Sequence, residues 1–110
     1  MAAKYEVKKA SDGQYFFNLK AGNGEIILTS ERYKAKASAT NGIESVRKNA
    51  PIDARYDRRV SSNNKPYFVL RAGNNEVIGQ SELYSSAAAM ENGITAVKAA
   101  APTTTVEDLA

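Results

Sequence analysis

Residues 16–51 read FFNLKAGNGEIILTSERYKAKASATNGIESVRKNAP, and residues 67–102 read YFVLRAGNNEVIGQSELYSSAAAMENGITAVKAAAP. The second stretch repeats the first at an offset of 51 without a gap, and 17 of the 36 aligned positions are identical. Phe16/Tyr67, Lys20/Arg71, Ile26/Val77 and Arg47/Lys98 are near-equivalents, and upstream Tyr5 falls over Tyr56 and Ser11 over Ser62. Self-similarity at a fixed spacing marks a repeated supersecondary unit. The chain is two copies of one unit, joined near Ile52–Ala54, with a short tail after Pro102.

Each copy carries two hairpin signals in register: Asp12-Gly13 and Asn23-Gly24, then Asn63-Asn64 and Asn74-Asn75. Gly, Asn and Asp tolerate positive φ best, so these pairs predict two-residue turns of type I′. They divide the units into strands at 4–10, 15–21 and 25–29, then 55–61, 66–72 and 76–80. The middle strands alternate with period two. Phe17, Leu19 and Ala21 share one face, as do Phe68, Leu70 and Ala72, and these are assigned to the core. Pro66 opens its strand, where a missing N–H costs least.

A helix follows in each copy. Ser30-Glu31 and Ser81-Glu82 suit a capping hydroxyl followed by a first-turn carboxylate; a start near Lys34 and Ser85 fits equally. Ala37, Ile43, Val46 and Ala50 form an apolar stripe repeated by Ala88, Ile94, Val97 and Ala101, and Pro51 and Pro102 end the two runs. Asn41-Gly42 and Asn92-Gly93 interrupt these runs at matched places, although Gly costs about 1 kcal/mol in a helix interior. Close approach of another backbone is expected there, with a break in the helix as the alternative.

The expected architecture is one α+β domain spanning 1–110. Two tandem β-β-β-α repeats, 4–51 and 55–102, are related by a pseudo-twofold, with an antiparallel sheet and helices packed on one face. A three-stranded meander with one helix buries too little to stand alone, and pairing two copies solves that. Residues 103–110 are expected to be a flexible tail; an added strand from Thr105 and Val106, or a partner-binding peptide, is the alternative.

Composition narrows the chemistry. The 110 residues include no Cys and no His, which leaves no thiolate, imidazole base or redox dithiol. No catalytic, cofactor-binding or metal-ligating set stands out. No apolar run approaches the roughly 20 residues of a membrane span, and MAAKYEVKK has no secretory apolar core. A cytoplasmic location away from membranes is expected. The net charge of +3 divides as +4 over residues 1–51 and −1 over 52–110. Most of that excess lies in Arg32, Lys34, Lys36, Arg47 and Lys48, read as a solvated helix face.

The AGNGE turn, the SE-x-Y segment and the NGI-x-SV run ending in NAP resemble the YegP-like, UPF0339-type family of small uncharacterised bacterial proteins. The resemblance covers about residues 4–102, and copy one is closer to the pattern than copy two, with its AGNNE and NGITAVKAAAP. It implies the β-β-β-α pair described above and carries over no activity and no catalytic residue.

Four residues form the candidate binding set. Phe16 and Lys20 point away from the core side of their strand, as do Tyr67 and Arg71. An aromatic followed four residues later by a cation, in both copies, is the combination that stacks bases and neutralises phosphates. Arg55, Arg58, Arg59 and Lys65 are expected to reinforce it. If helices cover that face, Phe16 and Tyr67 are core and the cations snorkel. Lys20–Gly24 leads into a strand and has no following Lys-Ser/Thr, so it reads as a turn rather than a phosphate loop. Glu25/Glu76 and Glu31/Glu82 are repeated and would form carboxylate pairs only by meeting across the pseudo-twofold. Tyr33 and Tyr84 read as half-buried anchors between strand and helix.

The function expected from these residues is a small binding or interaction module without an enzyme site. Single-stranded nucleic-acid binding is the first alternative and carboxylate-based catalysis the second. A protein partner or nucleic acid is the expected ligand class. The chain is expected to be a monomer, with a homodimer left open.

Overall fold

The computed structural model describes residues 3–102 and 105–110. Strands β1 (Lys4–Lys9), β2 (Tyr15–Lys20) and β3 (Ile26–Ser30) lead to helix α1 (Lys36–Asn49). A short 3-10 turn, Asp53–Arg55, opens the second copy. There β4 (Tyr56–Val60), β5 (Pro66–Arg71) and β6 (Val77–Gln80) lead to α2 (Ala87–Ala100), and β7 (Thr105–Asp108) ends the chain.

One seven-stranded sheet runs in the order β4-β5-β6-β3-β2-β1-β7. The two meanders join where β3 pairs antiparallel with β6, and Thr29 faces Gln80. These two residues are 51 apart, so the pseudo-twofold passes between them. Leu28 and its equivalent Gly79 differ at this seam for a steric reason. A Cβ on Gly79 would stand 2.9 Å from the Thr29 carbonyl oxygen and 3.0 Å from Leu28 Cγ, so one copy fills the axis and the other leaves room.

Both helices pack on the face that carries Phe17, Leu19, Phe68 and Leu70, each fully buried. Ile43, Val46, Ile94 and Val97 close the core from the helix side. Burying each such side chain stabilises the fold by about 1.5–3 kcal/mol before entropy is counted. Tyr5 meets Phe17 edge-on at 5.9 Å and Tyr56 meets Phe68 at 5.6 Å, one aromatic pair per copy.

The turns differ in detail from the type I′ expectation. In each, positive φ falls on one residue only, at Gly13, Gly24, Asn64 and Asn75. The N–H of that residue reaches the carbonyl three positions back, at Ala10, Ala21, Ser61 and Ala72. This is a three-residue loop, a type I turn closed by one left-handed residue. In three of the four, the Asx residue before it braces the loop: Asp12, Asn23 and Asn74 accept from the N–H two positions on, at 3.0, 3.0 and 3.1 Å.

Of the two expected helix starts, the later is found. Ser86 caps α2 through Ala89 N at 3.1 Å, while Ala35 gives α1 no side-chain cap. Ser30 and Ser81 are instead buried at strand ends. Each hydroxyl accepts from the neighbouring strand (Phe17 N at 2.8 Å, Phe68 N at 3.0 Å) and donates to the following carbonyl. They satisfy the backbone where β3 and β6 leave the sheet. Neither helix breaks at its Asn-Gly pair, and the close neighbour is a tyrosine side chain rather than backbone. A Cβ on Gly42 would stand 2.6 Å from the Tyr33 hydroxyl, and one on Gly93 would overlap Tyr84.

The segment expected to be a flexible tail forms β7 over Thr105–Asp108, parallel to β1, which makes the sheet mixed rather than wholly antiparallel. Thr103 and Thr104 of that expected tail lie outside the described residues. The helix ends supply the reason. Tyr56 Oη donates to Ala50 O at 2.8 Å, and Tyr5 Oη donates to Ala101 O at 2.9 Å. The chain leaving α1 continues as β4; the chain leaving α2 finds the matching position filled by β1 and runs beside it. Lys4–Glu107 at 3.0 Å and Lys36–Asp108 at 2.8 Å hold it there.

Candidate functional site

The helices leave the opposite face of the sheet uncovered, and Phe16, Lys20, Tyr67 and Arg71 all lie on it, half-buried. The aromatic-cation pairs are thus placed as the alternation predicts, yet their cations are engaged. Glu6, on the neighbouring strand, meets Lys20 at 3.1 Å, Lys4 at 3.3 Å and Lys8 at 3.5 Å. No helix among the described residues covers this face, yet Glu6 is only about 5% exposed. Its Oε1 is closed to solvent and meets its ammonium neighbours without a well-directed hydrogen bond. Lys20 above all, then Lys4 and Lys8, hold the Glu6 carboxyl below its usual range against the cost of burial.

The second copy repeats the device with its own residues. Asp57 stands where Glu6 does and is bridged by Arg59 at 2.7 Å and Arg71 at 3.2 Å, which lower its carboxyl likewise. Arg58 does not reinforce this face. It lies on the helix side and pairs with Glu91 at 2.6 Å and Asp53 at 3.1 Å. Arg55 turns to Asn49, at 3.1 Å. Phe16 takes the Arg32 guanidinium over its ring at 5.6 Å. Positive charge on the uncovered face is therefore largely balanced within the fold.

A second set of features lies along the seam between the copies. Two clefts are related by the pseudo-twofold, and each is assembled from both copies. The first, of about 230 Å3, lies between α1 and the β5–β6 turn and is lined by Tyr33, Asn41 and Glu76, with Ser38 and Ser45 beside them. The second, of about 400 Å3, lies between α2 and the β2–β3 turn, with Tyr84, Asn92 and Glu25 at the matching places. Ala89 and Ala96 there replace the two serines. Gly42 and Gly93 form part of the two walls because only Gly admits the tyrosine ring against the helix.

A third cleft, of about 350 Å3, sits on the axis itself, lined by Thr29, Gln80, Glu31 and Glu82 with the two buried serines. The repeated glutamates therefore divide: Glu31 and Glu82 reach one common cleft, while Glu25 and Glu76 each face the other copy's helix. Among the described residues no group of three or more acidic side chains is placed to hold a metal ion. Burial, then Glu31 and Glu76, raise the Tyr33 hydroxyl above the ordinary tyrosine value; burial, then Glu82 and Glu25, do the same at Tyr84. Among the described residues, neither hydroxyl has an activating base hydrogen-bonded to it, as a nucleophile or general acid needs.

The clefts are the part of the site that sequence reasoning missed. A signal exists, since Tyr33, Asn41 and Glu76 all sit in the repeated stretch with counterparts at an offset of 51 or its reverse. What the repeat alone could not show is that Glu76 belongs with Tyr33 rather than with Tyr84.

Comparison with known proteins gives one consistent result. The profile of a family described as a domain of unknown function (DUF1508) matches residues 10–57 and again 61–108. Each match begins before the middle strand and ends beyond the helix, so it takes in β7 as the closing strand of the second copy. The chain is 60% identical over 109 residues to a UPF0339 protein of Acinetobacter baylyi, covering 99% of this chain and 98% of that one. It is 55% identical over 105 residues to UPF0339 protein YegP of Yersinia pestis, covering 96% and 94%. The solution NMR structure of a UPF0339 protein from Shewanella oneidensis superposes with a TM-score of 0.93 at 55% identity, over 99% of this chain and 92% of that chain. That of yegP from E. coli, titled a protein of unknown function, gives 0.93 at 50% identity, over 99% and 94%. No helix among the described residues is long and apolar enough to cross a membrane.

Proposed function

The chain belongs to the DUF1508 (UPF0339) family, whose described relatives carry no assigned activity, and on that footing we propose that it is a non-catalytic binding module. One observation carries this: two clefts built across the copies repeat the same tyrosine, carboxamide and carboxylate, and none of these side chains bonds to another described residue. Polar groups converging in a cleft beside apolar side chains suit ligand recognition. A cytoplasmic, monomeric protein fits the same reading. Amide shift mapping with a small-molecule extract of bacterial cells tests it. Shifts confined to the walls of the two clefts support it; a protein whose spectrum is unchanged, or changed only elsewhere, overturns it.

Nucleic-acid binding is the second reading, favoured by half-exposed Phe16 and Tyr67 on a face no helix covers. It predicts retardation of single-stranded RNA that weakens steeply with salt and is lost on joint Lys20→Ala and Arg71→Ala substitution. The carboxylates Glu6 and Asp57 stand against it, since they already hold both cations.

A further inference from the structure

The chain has 12 acidic residues and 15 basic ones. Eight of the acidic side chains are paired with a lysine or arginine: Asp53, Asp57 and Glu91 in the second copy, Glu6, Asp12 and Glu44 in the first, and Glu107 and Asp108 on the last strand. The four without such a partner among the described residues are Glu25, Glu31, Glu76 and Glu82, the glutamates identical in both copies. All four are exposed, so water solvates their charge; Glu25 and Glu76 stand apart from the other two by their place in the paired clefts. Glu76 and Glu25 supply the sole charge among the described residues of the two paired clefts, neither of which has a lysine or arginine in its wall.

Resting on the binding-module reading, we propose that these two clefts are twin sites for a small organic cation, an ammonium or guanidinium compound, bound once in each half of the molecule. The carboxylate supplies the charge, and the Tyr33 or Tyr84 hydroxyl and the Asn41 or Asn92 carboxamide oxygen accept from the ligand's N–H groups. Ala72, Val77 and Ile78 in the first cleft, and Ala21 and Ile27 in the second, offer apolar surface to its carbon chain. The bond to the carboxylate is the strongest of these, because its donor and acceptor are both ionised; those to the hydroxyl and the carboxamide are assisted by the ligand's charge alone. The sites are unequal. Ser38 and Ser45 give the first cleft two further acceptors suited to a primary ammonium, while Ala89 and Ala96 leave the second roomier and less polar, about 400 Å3 against 230 Å3.

Titration of the whole chain with 1,4-diaminobutane and with 4-guanidinobutylamine, followed by amide shifts, tests the assignment. Neutral 1,4-butanediol and the dianion glutarate are the controls. The expected result is two saturable sets of shifts, one around Gly42 and Glu76 and one around Gly93 and Glu25, with different midpoints. Glu76→Gln should weaken the first by about tenfold or more and spare the second, and Glu25→Gln should do the reverse. Amine shifts that persist unchanged in both variants, or a diol that binds as well as the diamine, would overturn the cation assignment and leave the binding clefts standing. No cleft shift from either amine at millimolar concentration also overturns it, and the cell-extract experiment then decides separately whether the clefts bind anything else.

Discussion

The Tyr33 hydroxyl lies over Gly42 in the middle of α1, only 2.6 Å from where a Cβ at that position would stand. The Asn-Gly pair inside a helix follows from this contact, which also forms one wall of the first cleft. Gly42→Ala should therefore destabilise the fold even though Ala is the better helix former by about 1 kcal/mol. Overpacking of this kind costs about 1–3 kcal/mol, so a small net loss in urea unfolding is expected. Tyr33→Phe removes the nearest atom. In that background the cost of Gly42→Ala should fall by about 0.5–1 kcal/mol, a coupling that a double-mutant cycle measures.

Glu6 supplies a test of the ion cluster on the uncovered face. Its carboxyl is held below the ordinary 4.5, chiefly by Lys20. A carboxyl lowered in the folded state stabilises fully above its unfolded pKa, and that stabilisation is lost as the pH falls through the folded value. Stability should decline on acidification below about pH 4.5, and less steeply in Glu6→Gln. At pH 7 that substitution should cost about 1–2 kcal/mol, less than breaking a fully buried pair because the lysines keep contact with water.

Tyr5 and Tyr56 tie the two helix ends to the sheet. Loss of one such hydrogen bond costs about 0.5–1.5 kcal/mol, and Tyr5→Phe and Tyr56→Phe should each show it in thermal unfolding. Burial raises both hydroxyls well above the ordinary 10.0. A group raised on folding stabilises fully below its unfolded pKa and loses that contribution as the pH climbs towards the folded one. Alkaline unfolding should thus begin above about pH 10, and the double Phe variant should have a flatter alkaline limb.

Strand β7 is exposed along its whole length. Truncation after Pro102 should leave the rest of the sheet folded and lower stability by about 1 kcal/mol, or a few degrees in Tm. Raising the salt should shrink the difference, because Lys4–Glu107 and Lys36–Asp108 are surface pairs. Hydrogen exchange should show the β1 amides losing protection in the truncated chain. A truncation that unfolds the protein would show β7 to be an integral strand.

How much of this was legible beforehand follows the range of the interactions involved. Phe17, Leu19, Phe68 and Leu70 were assignable to the core because alternation is local. The turn positions were readable from Asp12-Gly13 and its three counterparts, whereas their length was not, because the same residues suit both loop types. Ser30 and Ser81 looked like helix caps because a hydroxyl before a carboxylate has that pattern. The N–H groups they accept from lie 13 residues away across a strand pair.

The period of 51 determined, from sequence alone, that the protein is one unit used twice, and a unit too small to stand alone points to pairing of the copies about a twofold. Only the tertiary structure decided which side chains that axis brings together. Lys20 is a free cation in the sequence and the partner of Glu6 in the fold; Glu76 is a turn residue in the sequence and faces Tyr33 in the fold. Periodicity is written in neighbouring residues, whereas neutralisation and cleft formation depend on which surfaces the packed core leaves side by side.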